Sequence, residues 1–421
     1  MTKMRLGMVL NVAALLLLLG FCSATDYKWR KAMISGETSS SMMMNRGGSS
    51  VLLPLYGNVY PIGYYNVVIN IGQPSKPYFL HLDTGSDLAW LQCDVHCVEE
   101  SHPFYRPSID LVPCKDPLCE SLHPPGEHKC DNPHRCDYEV EYADGSSSHG
   151  VLVRDVFALN YTNGTPLNPC LALGCGHDQP SGTSHDPLDG ILGLGRGKTS
   201  IISQLYIQSL VRNVFGHCLS GREGGFLFFG DGLYDSSRIV WTAMSSELPK
   251  FYSPGFAELV FNGKAAGLKD LIAVFDSGSS YTYFNSLAYE NLLYLMNNEL
   301  AGQPLEKATD DQTLALCWKG RKPFKSVRDV TKFFKSIFLI FTSNGAKTQF
   351  ELPPESYLII SNKRNVCLGI LNDTQAGLNN LNVIGDISMQ DRMVIYDNEK
   401  QLIGWAPANC DQLPKPKYAY S

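Results

Sequence analysis

Short runs of apolar, aromatic and β-branched residues recur along the chain and are separated by clusters of Gly, Pro, Ser and Asn. This pattern is typical of strands joined by turns. It predicts strands at 64–71 and in the run that ends at Asp83, and further strands at 138–142, 151–159, 171–174, 225–229, 257–261, 337–341, 357–360, 367–371 and 393–397. Many strands with few helices predict an all-β protein.

Helical patterns are confined to two segments. Thr199 or Ser200 is suited to cap a helix over 201–212, and Asn285 or Ser286 a helix over 287–300. In the second segment the apolar residues that recur at helical spacing are Leu292, Leu293, Met296 and Leu300. The least patterned stretch, 231–254, marks the expected junction between an N-terminal lobe (51–240) and a C-terminal lobe (241–421).

Each half of the chain carries an Asp-x-Gly-Ser run behind an apolar strand. Asp83 opens Asp-Thr-Gly-Ser and Asp276 opens Asp-Ser-Gly-Ser. One such run is a common turn, but two suggest a duplicated architecture with one aspartate in each half. Two carboxylates held face to face share a proton, because both cannot ionise cheaply. One then acts as general base and the other as general acid on the same water and carbonyl.

The halves also share a second pattern, an apolar pair followed by Gly, in 189–194 and 382–386. Glycine at such a position suits a strand that passes close beneath another loop, where no side chain fits.

The N-terminus indicates secretion. Lys3 and Arg5 precede the apolar stretch 9–21, which is short for a membrane span, and Ala24 is a suitable cleavage site. We expect a signal peptide over 1–24 and a pro-segment or disordered arm over 25–50. The net charge of −6 and the scattered basic residues argue against a nucleic-acid partner. No membrane contact is expected after signal removal.

Thirteen cysteines become twelve when Cys22 leaves with the signal peptide. An even, dense set in a secreted chain predicts six disulfides, formed by Cys93, Cys97, Cys114, Cys119, Cys130, Cys136, Cys170, Cys175, Cys218, Cys317, Cys367 and Cys410. Metal binding by Cys93, His96 and Cys97, or by Cys170, Cys175 and His177, is the weaker alternative, since the paired ligand spacing is lacking. Within the cysteine-rich insert that follows the first aspartate, residues 90–138, spacing suggests the nested pairs Cys114–Cys136 and Cys119–Cys130.

Three sequons place expected glycans on Asn160, Asn163 and Asn372. The first two are so close that one glycan between them is the simpler expectation. Glycosylation fits the same secretory compartment as the disulfides.

These motifs, in this order, resemble those of the pepsin-like aspartic proteases, and the ending 394–406 does so too. The cysteine-rich insert points to the plant branch with nucellin-like and nepenthesin-like enzymes. The resemblance implies a bilobal β fold with a cleft between the lobes. It implies a secreted, monomeric endopeptidase, apoplastic or alternatively vacuolar, that hydrolyses peptide or protein substrates at acid pH without metal or cofactor.

The resemblance also implies roles for individual residues. Asp83 and Asp276 would be the catalytic pair, supported by Gly85, Gly278, Ser86 and Ser279. Tyr142 would lie on a flap over the substrate, Trp90 would hydrogen-bond Tyr142, and Ile191 would line an apolar pocket.

Family order implies the disulfides Cys317–Cys367 and Cys218–Cys410. Four cysteines remain, with three possible connectivities. The first choice is the local pairing Cys93–Cys97 with Cys170–Cys175, and a crossed pairing is the alternative.

Two other functions compete with proteolysis. Some plant relatives with this fold are inhibitors or binding proteins that have lost a catalytic aspartate or flap residue, whereas this chain keeps both aspartates and the tyrosine. A lectin-like β-sandwich explains the strands and sequons, but not the duplicated Asp-x-Gly-Ser.

Overall fold

The computed structural model describes residues 50–93, 104–107, 110–123, 130–178, 188–267, 269–343, 345–373 and 381–414. The expected signal peptide, nearly all of the expected pro-segment and Cys97 lie outside these residues. In the part of the chain that is described, no helix is both long and apolar enough to cross a membrane.

The described chain is built mainly of strands. In the first part these are β1 (Val51–Asn58), β2 (Tyr64–Ile71), β3 (Lys76–Asp83), β4 (Trp90–Gln92), β5 (Asp137–Glu141), β6 (Ser147–Asn160), β7 (Pro166–Leu167), β8 (Cys170–Asp178), β9 (Gly190–Gly193), β10 (Val214–Leu219), β11 (Gly225–Phe229) and β12 (Val240–Ala243). In the second part they are β13 (Gly255–Phe261), β14 (Lys264–Ala265), β15 (Leu271–Phe275), β16 (Thr282–Phe284), β17 (Leu305–Lys307), β18 (Cys317–Gly320), β19 (Ile337–Ser343), β20 (Ala346–Leu352), β21 (Leu358–Ile360), β22 (Val366–Leu368), β23 (Ile370–Asn372), β24 (Asn382–Ile384), β25 (Arg392–Asp397) and β26 (Leu402–Pro407). The α-helices are α1 (Pro117–Ser121), α2 (Ile201–Ile207), α3 (Ser286–Leu300) and α4 (Asp386–Met389), and short 3-10 turns occur at Ser236–Arg238, Val327–Asp329 and Pro354–Ser356.

Three sheets organise these strands. The largest has the order β12-β26-β25-β10-β11-β1-β2-β3-β9-β4-β8-β6-β5, with β7 beside β6. The second has the order β20-β19-β13-β15-β24-β16-β23, with β14 beside β13, and the third has the order β17-β18-β22-β21. The largest sheet therefore includes the last two described strands, β25 and β26, beside strands of the first half of the chain.

The strands form because their apolar side chains are buried. β10 is buried along its whole length, and the largest fully buried side chains are aromatic, including Tyr65, Phe215, Phe275 and Tyr396. Such rings bury large areas and dominate core energetics. The all-β, bilobal prediction is confirmed.

Most of the predicted strands are present, with shifted ends. The predicted strand 367–371 is two strands, β22 and β23, that belong to different sheets. Gly369 joins them, and a Cβ there would lie 2.4 Å from Cδ1 of Ile387, so a larger residue at this point would require the Ile387 side chain to move. The sequence pattern also missed β1, which pairs with β2 and β11.

The helices are close to those predicted. Asn285 caps α3 by accepting a hydrogen bond from the Ala288 N–H at 2.9 Å. Ser200 caps α2, but this helix ends at Ile207 instead of residue 212. The reason lies just beyond its end, where Ser209 adopts a left-handed φ of 58°.

Two disulfides match the family order, Cys317–Cys367 and Cys218–Cys410. The local choice for Cys93 and Cys175 was wrong, because these two cysteines bond to each other. The reason is the sheet: β4 runs parallel to β8 with Leu91 beside Cys175, and the Cys93 N–H donates to the Gly176 carbonyl at 2.7 Å.

The nested pairing in the insert was also wrong, since the disulfides are Cys114–Cys130 and Cys119–Cys136. Helix α1 carries Cys119 into a small core with Leu118 and Leu152, and Cys136 lies in the same core. Side-chain burial therefore decides this pairing, which loop length alone could not reveal.

Candidate active site

The two Asp-x-Gly-Ser turns follow equivalent strands. Asp83 ends β3, which lies parallel to β9, and Asp276 follows β15, which lies parallel to β24. The expected close approach of the apolar-apolar-Gly segments is confirmed. A Cβ on Gly193 would lie 2.5 Å from the Asp87 carbonyl carbon, and a Cβ on Gly385 would lie 2.0 Å from the Tyr281 carbonyl oxygen.

Each aspartate is held by its own turn. The Gly85 N–H donates to Asp83 Oδ1 at 2.8 Å, and the Ser86 hydroxyl donates to Asp83 Oδ2. The second turn repeats this arrangement. Gly278 N–H donates to Asp276 Oδ1 and Ser279 Oγ to Asp276 Oδ2, both at 2.8 Å. These bonds orient both carboxylates before any ligand arrives.

The glycines bring the two carboxyls together. A Cβ on Gly85 would lie 2.7 Å from Oδ1 of Asp276, and a Cβ on Gly278 would lie 2.6 Å from Oδ1 of Asp83. The carboxyl of each half thus packs against the glycine of the other half. Any side chain on either glycine would push the carboxyls apart.

The residues between Asp and Gly connect the two turns. The Ser277 N–H donates to Thr84 Oγ1 at 2.9 Å, and the Thr84 N–H donates to Ser277 Oγ at 3.2 Å. The Thr84 hydroxyl also donates to the Phe275 carbonyl at 3.2 Å. Sequence analysis did not single out these two residues, although the hydroxyl at the same position of both runs was an available signal.

The paired carboxyls are harder to ionise than isolated ones. Burial, followed by the negative charge of Asp83, raises the pKa of Asp276 to about 6. Burial also raises the pKa of Asp83, although hydrogen bonds from Ser86 and Gly85 oppose this change. The site therefore favours one shared proton and one negative charge in mildly acidic solution.

A hairpin lies next to the first turn. β5 and β6 are joined through Tyr142–Ser146, where Gly145 adopts a φ of +82°. The Trp90 indole N–H donates to the Tyr142 hydroxyl at 2.6 Å. Burial, followed by the charge of Asp83, raises the pKa of Tyr142, which also interacts with the Ser86 hydroxyl. Tyr142 therefore connects the hairpin to the first turn.

The other predicted site residues are Ile191 and the sequon asparagines. Ile191 is half-buried on β9, beside His81 on β3 and Trp90 on β4. Among the sequon residues, Asn160 and Asn163 are exposed, whereas Asn372 is half-buried and accepts a hydrogen bond from Ser286 Oγ at 3.0 Å.

Two groups within the described residues bring potential metal ligands together, Cys119–His123–Cys136 and Asp311–Cys317–Cys367. The two cysteines of each group form a disulfide with each other. A disulfide offers no thiolate, so neither group has the ligand set of a zinc site.

Comparison with known sequences finds two family profiles and several aspartic proteinases that are similar to this chain. Residues 65–231 match the profile of the family described as "Xylanase inhibitor N-terminal", and residues 261–407 match "Xylanase inhibitor C-terminal". An aspartic proteinase of Oryza sativa subsp. japonica is 44% identical over 388 residues, which cover 88% of this chain and 94% of the relative. Nepenthesin-1, an aspartic proteinase of Nepenthes gracilis, is 27% identical over 371 residues, which cover 83% of this chain and 78% of the relative.

Solved structures share the fold at low sequence identity. Conglutin gamma, a basic 7S globulin from lupine seeds, superposes with a TM-score of 0.69 at 19% identity and covers 86% of this chain and 96% of that chain. An aspartic proteinase from Irpex lacteus gives a TM-score of 0.62 at 17% identity and covers 86% of this chain and 98% of that chain.

Proposed function

The chain belongs to the pepsin-like aspartic proteases of plants, and from this premise we propose that it is an active aspartic endopeptidase. Asp83 and Asp276 are its catalytic pair. The observation that carries the proposal is that each carboxyl packs against the glycine of the opposite turn while its own Gly N–H and Ser hydroxyl hold it.

The shared proton defines the mechanism. The ionised carboxyl takes a proton from a bound water, while the protonated carboxyl donates a hydrogen bond to the scissile carbonyl. The water adds to the carbonyl carbon to give a tetrahedral diol. The diol collapses as a proton passes to the leaving nitrogen, which breaks the C–N bond. The attacking group is the water, the two carboxyls transfer its protons, and no covalent bond forms between the enzyme and the substrate.

Tyr142 and Trp90 belong to a flap that closes over the bound peptide. The ring of Tyr142 excludes water, and the bond from the Trp90 indole fixes its orientation. Exclusion of water strengthens the electrostatic interactions of the dyad with the developing charge. Ile191, half-buried beside Trp90, contributes apolar surface for a substrate side chain.

We also propose that the enzyme works as a secreted monomer. The apolar stretch after Lys3 and Arg5 is the signal peptide, and residues 25–50 form a pro-segment. The disulfides suit an oxidising compartment, the apoplast or the vacuole. Asn160 and Asn163 are the more accessible glycan acceptors. The two lobes divide near residue 240.

A second candidate function is inhibition or binding without catalysis. The family descriptions favour it, since both matching profiles are described as xylanase inhibitor, and one of the similar structures is a seed globulin. The retained dyad favours catalysis.

One experiment separates the two functions. The secreted chain is incubated with denatured globin at acid pH, with and without a pepstatin-type inhibitor, beside the Asp276→Asn variant. Cleavage that the inhibitor and the variant both abolish supports the protease. The absence of cleavage, together with inhibition of a xylanase by the same preparation, supports the binding protein.

A further inference from the structure

A third carboxyl lies near the pair at the start of α4. Asp386 has 0% of its surface exposed. Its N–H donates to the Ser279 carbonyl at 2.8 Å, and the next N–H, of Ile387, donates to the Ser280 carbonyl at 3.0 Å. The backbone of Asp386 is therefore fixed directly beneath the second Asp-x-Gly-Ser turn.

The side chain of Asp386 lacks the partners that an anion requires. Both of its carboxyl oxygens are buried, and neither has a hydrogen-bond partner in the described part of the chain. This contrasts with Asp311, another buried carboxyl, which accepts bonds from Ser361, Thr313 and Asn365. Burial of a charged carboxylate without hydrogen bonds or a cation is strongly unfavourable.

The groups that face Asp386 would not stabilise its charge. Two of them are Asp276 and Asp83, whose shared negative charge repels a further one. The others are the phenols of Tyr396 on β25 and Tyr65 on β2. Burial first, and these two carboxylates next, raise the pKa of Asp386 well above its ordinary value.

The elements packed against α4 carry further charged or titratable groups. Tyr283 on β16 interacts with the charges of Asp276 and Asp144, and burial raises its pKa. His217 on β10 faces the Tyr396 hydroxyl. Arg392 on β25 donates to Ser356, and its charge interacts with Glu351 and Asp391. In the 3-10 turn Pro354–Ser356, Glu355 is exposed. Within the described residues, the charges that shift the pKa of Asp386 therefore come from carboxylates and not from a cation.

We propose that Asp386 stays protonated in the folded protein and acts as a pH-sensitive element beside the second Asp-x-Gly-Ser turn, whose contribution to stability is greatest in acid. The unfolded chain releases this proton near the ordinary pKa of an aspartate, about 3.9. The folded chain retains it to much higher pH. Since the folded state then binds one more proton, its stability is fully present below that value and is lost as pH rises.

The proposal predicts how steeply the stability of the folded chain changes with pH. For one extra proton, the equilibrium constant for unfolding rises about tenfold more per pH unit in the wild type than in a chain that lacks the carboxyl. Asp386→Asn and Asp386→Val both remove the titrating group, one with a polar and one with an apolar replacement. Any packing damage shifts a whole curve without changing its slope.

Rapid thermal melts followed by intrinsic fluorescence, at steps from about pH 4 to about pH 7, provide the measurement. Asp137→Asn, an exposed carboxylate on β5, is the matched control. We expect the melting temperature of both Asp386 variants to rise relative to the wild type as pH increases, and that of Asp137→Asn to stay parallel to it. Parallel curves for the Asp386 variants overturn the proposal.

A second measurement applies if neither variant folds. The wild type in heavy water at about pH 7.5, above the ordinary range of carboxyl titration, should retain the infrared band of a protonated carboxyl. Loss of that band while the chain is folded overturns the proposal. Neither measurement uses a substrate, so a chain that proves not to be a protease gives the same test.

Discussion

Thr84 and Ser277 each accept a hydrogen bond from the backbone N–H of the other, at 3.2 Å for the Thr84 N–H and 2.9 Å for the Ser277 N–H. Neither residue contacts solvent appreciably, since they are 1% exposed in both cases. The reciprocal pair thus fixes the spacing of the two carboxyls without contributing to their charge. The geometry of the dyad therefore depends on bonds across the two halves as well as on the bonds within each turn.

The Thr84–Ser277 pair can be tested by removing one hydroxyl. Thr84→Val leaves the buried Ser277 N–H without an acceptor, so we expect a loss of stability of about 1–3 kcal/mol together with reduced activity. Thr84→Ser keeps the hydroxyl and should stay near wild type. Thermal melts and globin hydrolysis at acid pH provide the readouts. Equal behaviour of the Val and Ser variants would contradict the assigned role.

Each aspartate of the dyad should be required separately. Asp83→Asn and Asp276→Asn keep the side-chain volume but cannot hold one proton and one charge between two carboxyls. We expect activity to fall by about 10²- to 10⁴-fold or more, with folding retained. Steady-state hydrolysis of a peptide substrate measures the loss, and a melt at acid pH checks the fold. Near-normal turnover in either variant rules out the mechanism.

The activity should depend on pH in a bell-shaped manner. The working state has one proton on the pair, and it is lost as pH rises through the pKa of about 6 at Asp276. Activity should therefore decline near pH 6 and be low above neutrality. Initial rates across the acid and neutral range check this, with brief assays so that unfolding does not contribute. An optimum above neutrality contradicts the shared proton.

The proposed role of Tyr142 in the flap can be tested separately. Tyr142→Phe loses the bond from Trp90 but keeps the ring, so we expect a decrease of about 2- to 10-fold, the effect of one hydrogen bond. Tyr142→Ala loses both and should be much less active. Trp90→Phe should add little to Tyr142→Phe, because the two changes remove the same bond. Negligible effects of both Tyr142 variants would show that the residue does not cover substrate.

His217 should limit stability in acid. It is 0% exposed, and burial lowers its pKa from 6.5 to about 3. Because the unfolded chain takes up a proton that the folded chain resists, stability falls as pH drops from about 6.5 towards 3, by up to about 4 kcal/mol. His217→Gln should flatten the acid side of a melting curve against pH, whereas His134→Gln, at an exposed site, should not. An unchanged acid slope in His217→Gln contradicts this effect.

Much of the molecule was predictable because its signals are local. Residues 64–71 are mainly β-branched and aromatic, which is typical of a strand, and β2 occupies the same residues. The strands that carry the two aspartates were recognisable from apolar runs ending in Gly turns. Asn285 could be proposed as a cap because capping needs only a side-chain oxygen at the right distance along the chain.

The remainder depends on contacts between distant segments. Cys93 bonds to Cys175 because β4 and β8 are neighbours in the sheet, a fact that no spacing along the chain contains. Asp386 follows an apolar-apolar-Gly segment that was recognised, but its burial beneath Ser279 depends on where α4 packs. Strand β1 was missed because its two partners lie elsewhere in the sequence.

The position of β25 and β26 has a consequence for synthesis of the chain. β10 lies between β11 and β25, and Cys218 bonds to Cys410 across a separation of 192 residues. During translation β10 therefore leaves the ribosome long before its neighbour β25 has been made. Until β25 and β26 emerge, β10 is an unpaired edge of the largest sheet. A stop codon shortly before residue 392 would remove few residues, yet it would leave Cys218 without its partner and the edge of β10 exposed to pairing with other chains. Folding of the largest sheet is thus completed only when the C-terminal segment pairs with β10 and Cys410 bonds to Cys218.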